Sequence, residues 1–237
     1  MFQKIVVPLI GNASLRLSLG SGSIRATAED RDDVQIDAAS PPFTGAEIDD
    51  DGVIDVTVAG GGGSVELTVP VGTDLTLGTQ SGRVTLKGAF GVVQITTESG
   101  SIDVDRCDRA DLRTGSGSIT VGLCDGEVRA LSRTGNVSVG RTDSAEVATM
   151  SSSIDVAASR SVRAKTASGR ISVRTHEACN VSAKSISGNI DVHVPPGVHP
   201  ETLIRTLSGR QHVECQPGDD CRVALSTVSG SMRVDNA

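Results

Sequence analysis

The chain has 237 residues, a net charge of −7, no Tyr or Trp and three Phe. The acidic balance argues against nucleic acid, whose phosphates call for clustered Lys and Arg, and against strong adsorption of the whole molecule to anionic lipid. The missing rings exclude a core filled by large aromatic side chains and point to narrow, regular layers of Val, Ile, Leu and Ala.

The amino end, MFQKIVVPLI, has one Lys and an apolar run broken by Pro8. A secretory signal needs a longer apolar region and a cleavage site. No window approaches the ~20 apolar residues of a membrane span. Residues 1–13 therefore read as a cap or docking segment of an unprocessed, cytoplasmic chain, with membrane association as an option. Leu15, Leu17, Leu19, Ser21, Gly22, Ile24 and Ala26 then alternate as one strand–turn–strand unit. Val56, Val58, Gly60, Gly62, Gly63, Val65 and Leu67 form another. Between them, Val34, Ile36, Ala38, Ser40, Pro41 and Phe43 fit such a unit poorly. Residues 14–80 are predicted as irregular coils, and 27–62 as the part able to form a looser sheet.

Residues 81–237 repeat themselves. The residue after the Ser or Thr of each SG-like unit serves as position zero: Gly82, Gly100, Gly117, Gly135, Ser152, Gly169, Gly188, Gly209 and Gly230, in steps of 17 to 21. Apolar residues recur seven and five before zero (Val93 and Ile95, Val181 and Ala183) and two and four after it (Ile102 and Val104, Ile190 and Val192). Positions three and one before zero are Ser or Thr throughout and share that inward parity. Period-two alternation is the strand signature, and Gly at zero supplies a turn that a side chain would resist. Seventeen residues are too few for a helical crossover plus two strands. The pattern predicts an all-β, single-stranded parallel β-solenoid (β-helix) of ~11–12 coils, stacked ~4.8 Å apart with like residues in ladders. It forms one domain over 1–237, right-handed by the usual crossover rule.

The five cysteines are odd in number and match no zinc spacing, so reduced thiols in a cytosol are expected. Cys107 and Cys124 both lie seven after zero and should stack at a corner. Stacked parallel Cβ vectors suit a disulfide poorly, which favours free thiols over a bridge or metal site. Thr142, Ser159 and His176 are their near-equivalents in neighbouring coils.

The repeated SG-x-[IV]-x-V units from Ser81 to Val234, with the amino-terminal LSLGSGSIRATAEDRDDVQIDA (Leu17–Ala38), resemble a bacterial family of β-strand-repeat proteins of unknown function, often labelled candidate adhesins. The resemblance covers most of the chain and implies no catalytic residues. The architecture is also analogous to that of bactofilins, cytoplasmic proteins that polymerise through small β-helices, without a shared motif.

No enzyme chemistry is legible. Asp103 and Asp155 share an outward column but stand three coils, ~14 Å, apart, too far for a paired-carboxylate mechanism. His176, His193, His199 and His212 share no ligand spacing. No cofactor, metal site or nucleotide-binding motif is expected.

Two features point away from a self-contained monomer. The last repeat, SGSMRV, ends near Ala237 without a polar cap, and a bare final coil exposes unpaired backbone. Leu15, Leu17, Ile24, Val223, Leu225, Met232 and Val234 are therefore the expected end-to-end interface. Second, the outward column two before zero becomes apolar from Met150 onward, through Ala167, Ile186, Leu207 and Val228, and Leu203 widens it. This is the expected lateral interface, unless the amino-terminal segment covers it. The leading reading is a non-enzymatic structural protein that self-assembles into a filament or end-to-end oligomer, with the stripe adding lateral or membrane contact. The alternative is an adhesin-like or cell-envelope module that recognises a protein or glycan through its outer faces.

Overall fold

The computed structural model describes residues 2–8, 14–39, 43–48, 53–58 and 63–236, and among them every regular element is a strand. The Gly60–Gly62 run lies outside the described residues. The amino-terminal strands are β1 (Phe2–Pro8), β2 (Ser14–Ser21), β3 (Ile24–Glu29), β4 (Asp33–Ala39), β5 (Phe43–Ile48), β6 (Val53–Val58) and β7 (Ser64–Pro70). The array follows with β8 (Asp74–Ser81), β9 (Val84–Ser99), β10 (Ile102–Ser116), β11 (Ile119–Thr134), β12 (Val137–Ser151) and β13 (Ile154–Ser168). It closes with β14 (Ile171–Thr175), β15 (Asn180–Ser187), β16 (Ile190–Val194), β17 (Pro200–Ser208), β18 (Gln211–Val213), β19 (Cys221–Ser229) and β20 (Met232–Asn236).

The array is a parallel β-solenoid in the register that the sequence columns give. Ile102 lies between Val84 and Ile119, and Leu112 between Ile95 and Ala130. Each of β9 to β13 runs from one Gly turn, around a bulged corner, to the next turn. The apolar columns on both limbs of the coil are buried in one contiguous core. Gly at zero is required by close approach: Gly117 has φ +146°, and a Cβ there would stand 2.1 Å from the Gly100 carbonyl oxygen of the coil below. The hydroxyls three before zero are buried as expected, except the partly buried Thr206 of the outermost coil, and Thr114 donates to the Gly100 carbonyl at 3.1 Å. Those one before zero are exposed, contrary to their parity, because the chain is already turning at the solenoid's edge.

About nine turns wind as regular coils in the array, and the β6–β7 and β2–β3 units join the same parallel stack out of chain order. β2 lies between β6 and β8, so the first unit in the sequence is the second rung of the stack. Beyond it the pairing turns antiparallel: β4 against β7, β1 against β4, and β5 against β6. Val34 and Ile36 fit a coil poorly because they belong to these antiparallel strands.

The carboxyl end shows the same inversion, and it overturns the expected end interface. β19 pairs with β15 on one side and β17 on the other, and β20 lies between β16 and β18. The last coil in the sequence is therefore enclosed, and the coil before it is outermost. Leu15, Leu17, Ile24, Val223, Leu225, Met232 and Val234 are all 1% exposed or less, covered by a rung on each side. Composition explains the exchange. The final repeat carries Val223, Leu225, Met232 and Val234 at inward positions, whereas the preceding one has Thr202 and Gln211 where the other coils of the array have apolar residues. Placing the polar coil outside and the apolar coil inside keeps less apolar surface in water. The last two steps are 21 residues rather than 17, and the extra chain spans the skipped rung.

Candidate docking face

Strand alternation buries the positions three and five before zero and turns the positions two, four and six before zero outward. Parallel register then aligns Met150, Ala167, Ile186, Val228 and Leu207 in one file across β12, β13, β15, β19 and β17. The end inversion places Val228 ahead of Leu207. Met150 is 58%, Ile186 59%, Val228 46% and Leu207 86% exposed. Four strand spacings give a length of about 19 Å. Leu203 is also exposed and lies beside Ala224. β1 pairs with β4 at the opposite end of the stack and does not cover the file. The lateral set is thus brought together, whereas the end set is divided between two enclosed rungs.

A cationic file runs beside the apolar one. Lys165, Lys184 and Arg205 stand two residues before Ala167, Ile186 and Leu207 on the same strands, with Lys165 and Lys184 in register. Over β13, β15, β19 and β17 the outward positions from Arg163 to Leu207 hold no carboxylate. Further along the same wall the charges compensate one another: Arg113 pairs with Asp111 at 3.1 Å, and Arg129 with Glu146 at 3.9 Å.

The outward carboxylates of the other limb stand apart. Asp103, Thr120, Ser138 and Asp155 occupy successive rungs, so the two carboxylates are three coils apart. Among the described residues no three His, Cys, Asp or Glu side chains gather as metal ligands. An open groove of about 1050 Å³ lies over Gly115, lined by Glu98, Arg113, Leu131, Arg133 and Met150 among others, and it gathers no nucleophile with a base. A charge chain clamps the outer coil: His193 pairs with Asp235, Asp235 with Arg233 at 2.6 Å, Arg233 with Glu214 at 2.9 Å, and Glu214 with His212 at 2.7 Å. Hydrogen bonds from His212 and Arg233 hold the Glu214 carboxyl below its ordinary range.

All five cysteines are free and buried. Cys107 and Cys124 stack in register as expected, flanked by Phe90 and Thr142. Bulges carry this column on through Ala158 and Thr175, not Ser159 and His176. A hydrogen bond from Cys107 lowers the Cys124 thiol below its ordinary range, while its partner is pushed up by that bond and by burial. Burial pushes Cys179 up to about 12.

A stack of in-register coils with turn glycines is matched by the family model described as Toastrack DUF4097, over residues 4–237. The chain belongs to the Toastrack family. Among solved structures, a candidate adhesin from Parabacteroides distasonis shares 11% identity with this Toastrack chain, covers all of it and 97% of its own length, and has a TM-score of 0.45. One from Bacteroides fragilis, also at 11% identity, covers the same shares with a TM-score of 0.42. A candidate cell adhesion protein from Clostridium sporogenes shares 8%, covers both chains fully and scores 0.24. These scores carry no functional argument. No curated protein matches the chain.

Proposed function

We propose that this Toastrack chain is a rigid, non-enzymatic binding scaffold that docks through the outer wall formed by β12, β13, β15, β19 and β17. The exposed apolar file on five consecutive strands carries this reading. Contiguous exposed apolar surface usually marks a contact, and this file lies on in-register parallel strands. Burial of the expected end interface removes the motive for stacking through the last repeat in the sequence. Self-assembly is a second reading through other residues: among the described residues β17 and β18 pair on one side only, and such edges can add strands.

Photo-crosslinking residues placed in cells at Ile186 and Leu207, with Asp103 and Thr120 as controls on the other limb, test the docking wall. Adducts at the first pair and none at the controls support the scaffold reading. Equal yields at all four positions, or adducts only at the controls, reject it. Sedimentation at high concentration tests the second reading, for which monomers are the refuting result.

A further inference from the structure

We infer that the partner of this wall is the surface of an anionic lipid bilayer, an inference that rests on the docking-scaffold reading and names its ligand. Three observations favour lipid over an acidic protein. First, the apolar and cationic residues form straight, parallel files, with Ile186 and Leu207 in one and Lys184 and Arg205 in the other. Two residues along a strand separate the files by ~7 Å. Long cationic stems at that offset reach headgroup phosphates while the apolar file enters the acyl boundary. Second, the file stands on the outward face of in-register strands, and the groove over Gly115 lies on neighbouring strands and touches the file only at Met150. A peptide would add through its backbone at the edge of β17, whereas the outward-facing files offer side chains to a broad surface such as a bilayer.

Third, the charges are sorted. Around Lys165, Lys184 and Arg205 the outward positions of β13, β15, β19 and β17 from Arg163 to Leu207 hold no carboxylate, whereas further along the same wall Arg113 and Arg129 face Asp111 and Glu146. Arg163, in register with Glu146, marks the boundary of the cationic zone. The net charge of −7 opposes adsorption in arbitrary orientations. Beyond a Debye length of ~8 Å, however, the distant carboxylates are screened, and the wall facing the bilayer decides.

The test is co-sedimentation of the full chain with vesicles of phosphatidylglycerol and phosphatidylcholine, against vesicles of phosphatidylcholine alone. Binding to the mixed vesicles only, weakened by added salt, is expected. At ~5-fold per cation removed, Lys165→Gln with Lys184→Gln lowers affinity about 25-fold. Leu207→Asn with Ile186→Asn also releases the protein, while Asp103→Asn leaves binding intact. All these positions are partly or fully exposed, and unchanged thermal unfolding confirms intact folding. Equal binding by wild type and wall variants overturns the inference. So does absence of vesicle binding: with crosslinks from Ile186 to an acidic protein, the scaffold reading stands and only the lipid assignment falls, and with no wall crosslinks both fall.

Discussion

The exchanged order of the last two coils makes an unusual mutational prediction. Leu225 is 1% exposed, with Ala183 beside it on one rung and Ile204 on the other. Leu225→Ala removes three carbons, about 2.4 kcal/mol of transfer free energy at ~0.8 per methylene. The enclosing rungs limit relaxation, and a cavity term raises the cost to about 3 kcal/mol. Ile204 occupies the same column one rung further out, is only partly buried, and has no strand beyond it. Ile204→Ala opens a gap that solvent fills, and about 1 kcal/mol is expected. The later repeat should therefore be the more sensitive by about 2 kcal/mol. Urea unfolding followed by circular dichroism measures both variants; the chain has no Trp or Tyr for intrinsic fluorescence. If the coils were stacked in chain order, Ile204 would be enclosed and Leu225 terminal. A larger loss for Ile204→Ala, or equal losses, would refute the exchanged order.

Three further outcomes follow from the same geometry. Gly117→Ala should cost more than Gly72→Ala, since the first Cβ meets the Gly100 carbonyl at 2.1 Å and the second meets nothing within 4 Å; strain of about 1–3 kcal/mol at Gly117, read as a lower urea midpoint, is expected, and equal midpoints contradict it. The Glu214 clamp is pH-dependent. Its carboxyl is lowered from 4.5 in the folded chain, so its contribution is full above that value and is lost as the pH falls through the lowered one. Amide protection in β18 should fall on such acidification, and Glu214→Gln should remove that dependence; an unchanged pH profile in the variant contradicts the clamp. Freshly isolated protein should titrate as five free thiols once denatured, and mild alkylation of the native chain near neutral pH should label Cys124 before Cys179, whose thiol ionises only at about 12. Fewer thiols, or the reverse order by peptide mapping, counts against this account.

Much of the architecture is local in origin and was legible from spacing. A period of 17 to 21 residues with two-residue alternation leaves room for two short limbs and a turn, and nothing else. The Gly column, the buried Val and Ile ladders, the stacking of Cys107 on Cys124 and the outward file from Met150 to Leu207 all follow from that arithmetic. Single columns were misread where the backbone departs from ideal alternation. The exposed Ser column lies where the chain begins to turn, and the corner bulges replace Ser159 and His176 with Ala158 and Thr175.

The sequence by itself determined the coil and its inward and outward faces, because side-chain parity and turn glycines are properties of a few consecutive residues. Only the tertiary structure decided which coil lies against which. Every rung offers neighbours the same backbone ladder, so repeat order is not encoded in the ladder itself. It is set by which coil has the more apolar interior, by the two long steps, one of which passes a rung while the other returns to it, and by the contact of His193 with Asp235, which only the exchanged order brings onto neighbouring rungs. Thr202 and Gln211, polar at inward positions, were the visible trace of the outermost coil. Their meaning depends on competition among whole coils for enclosure, which no single column records.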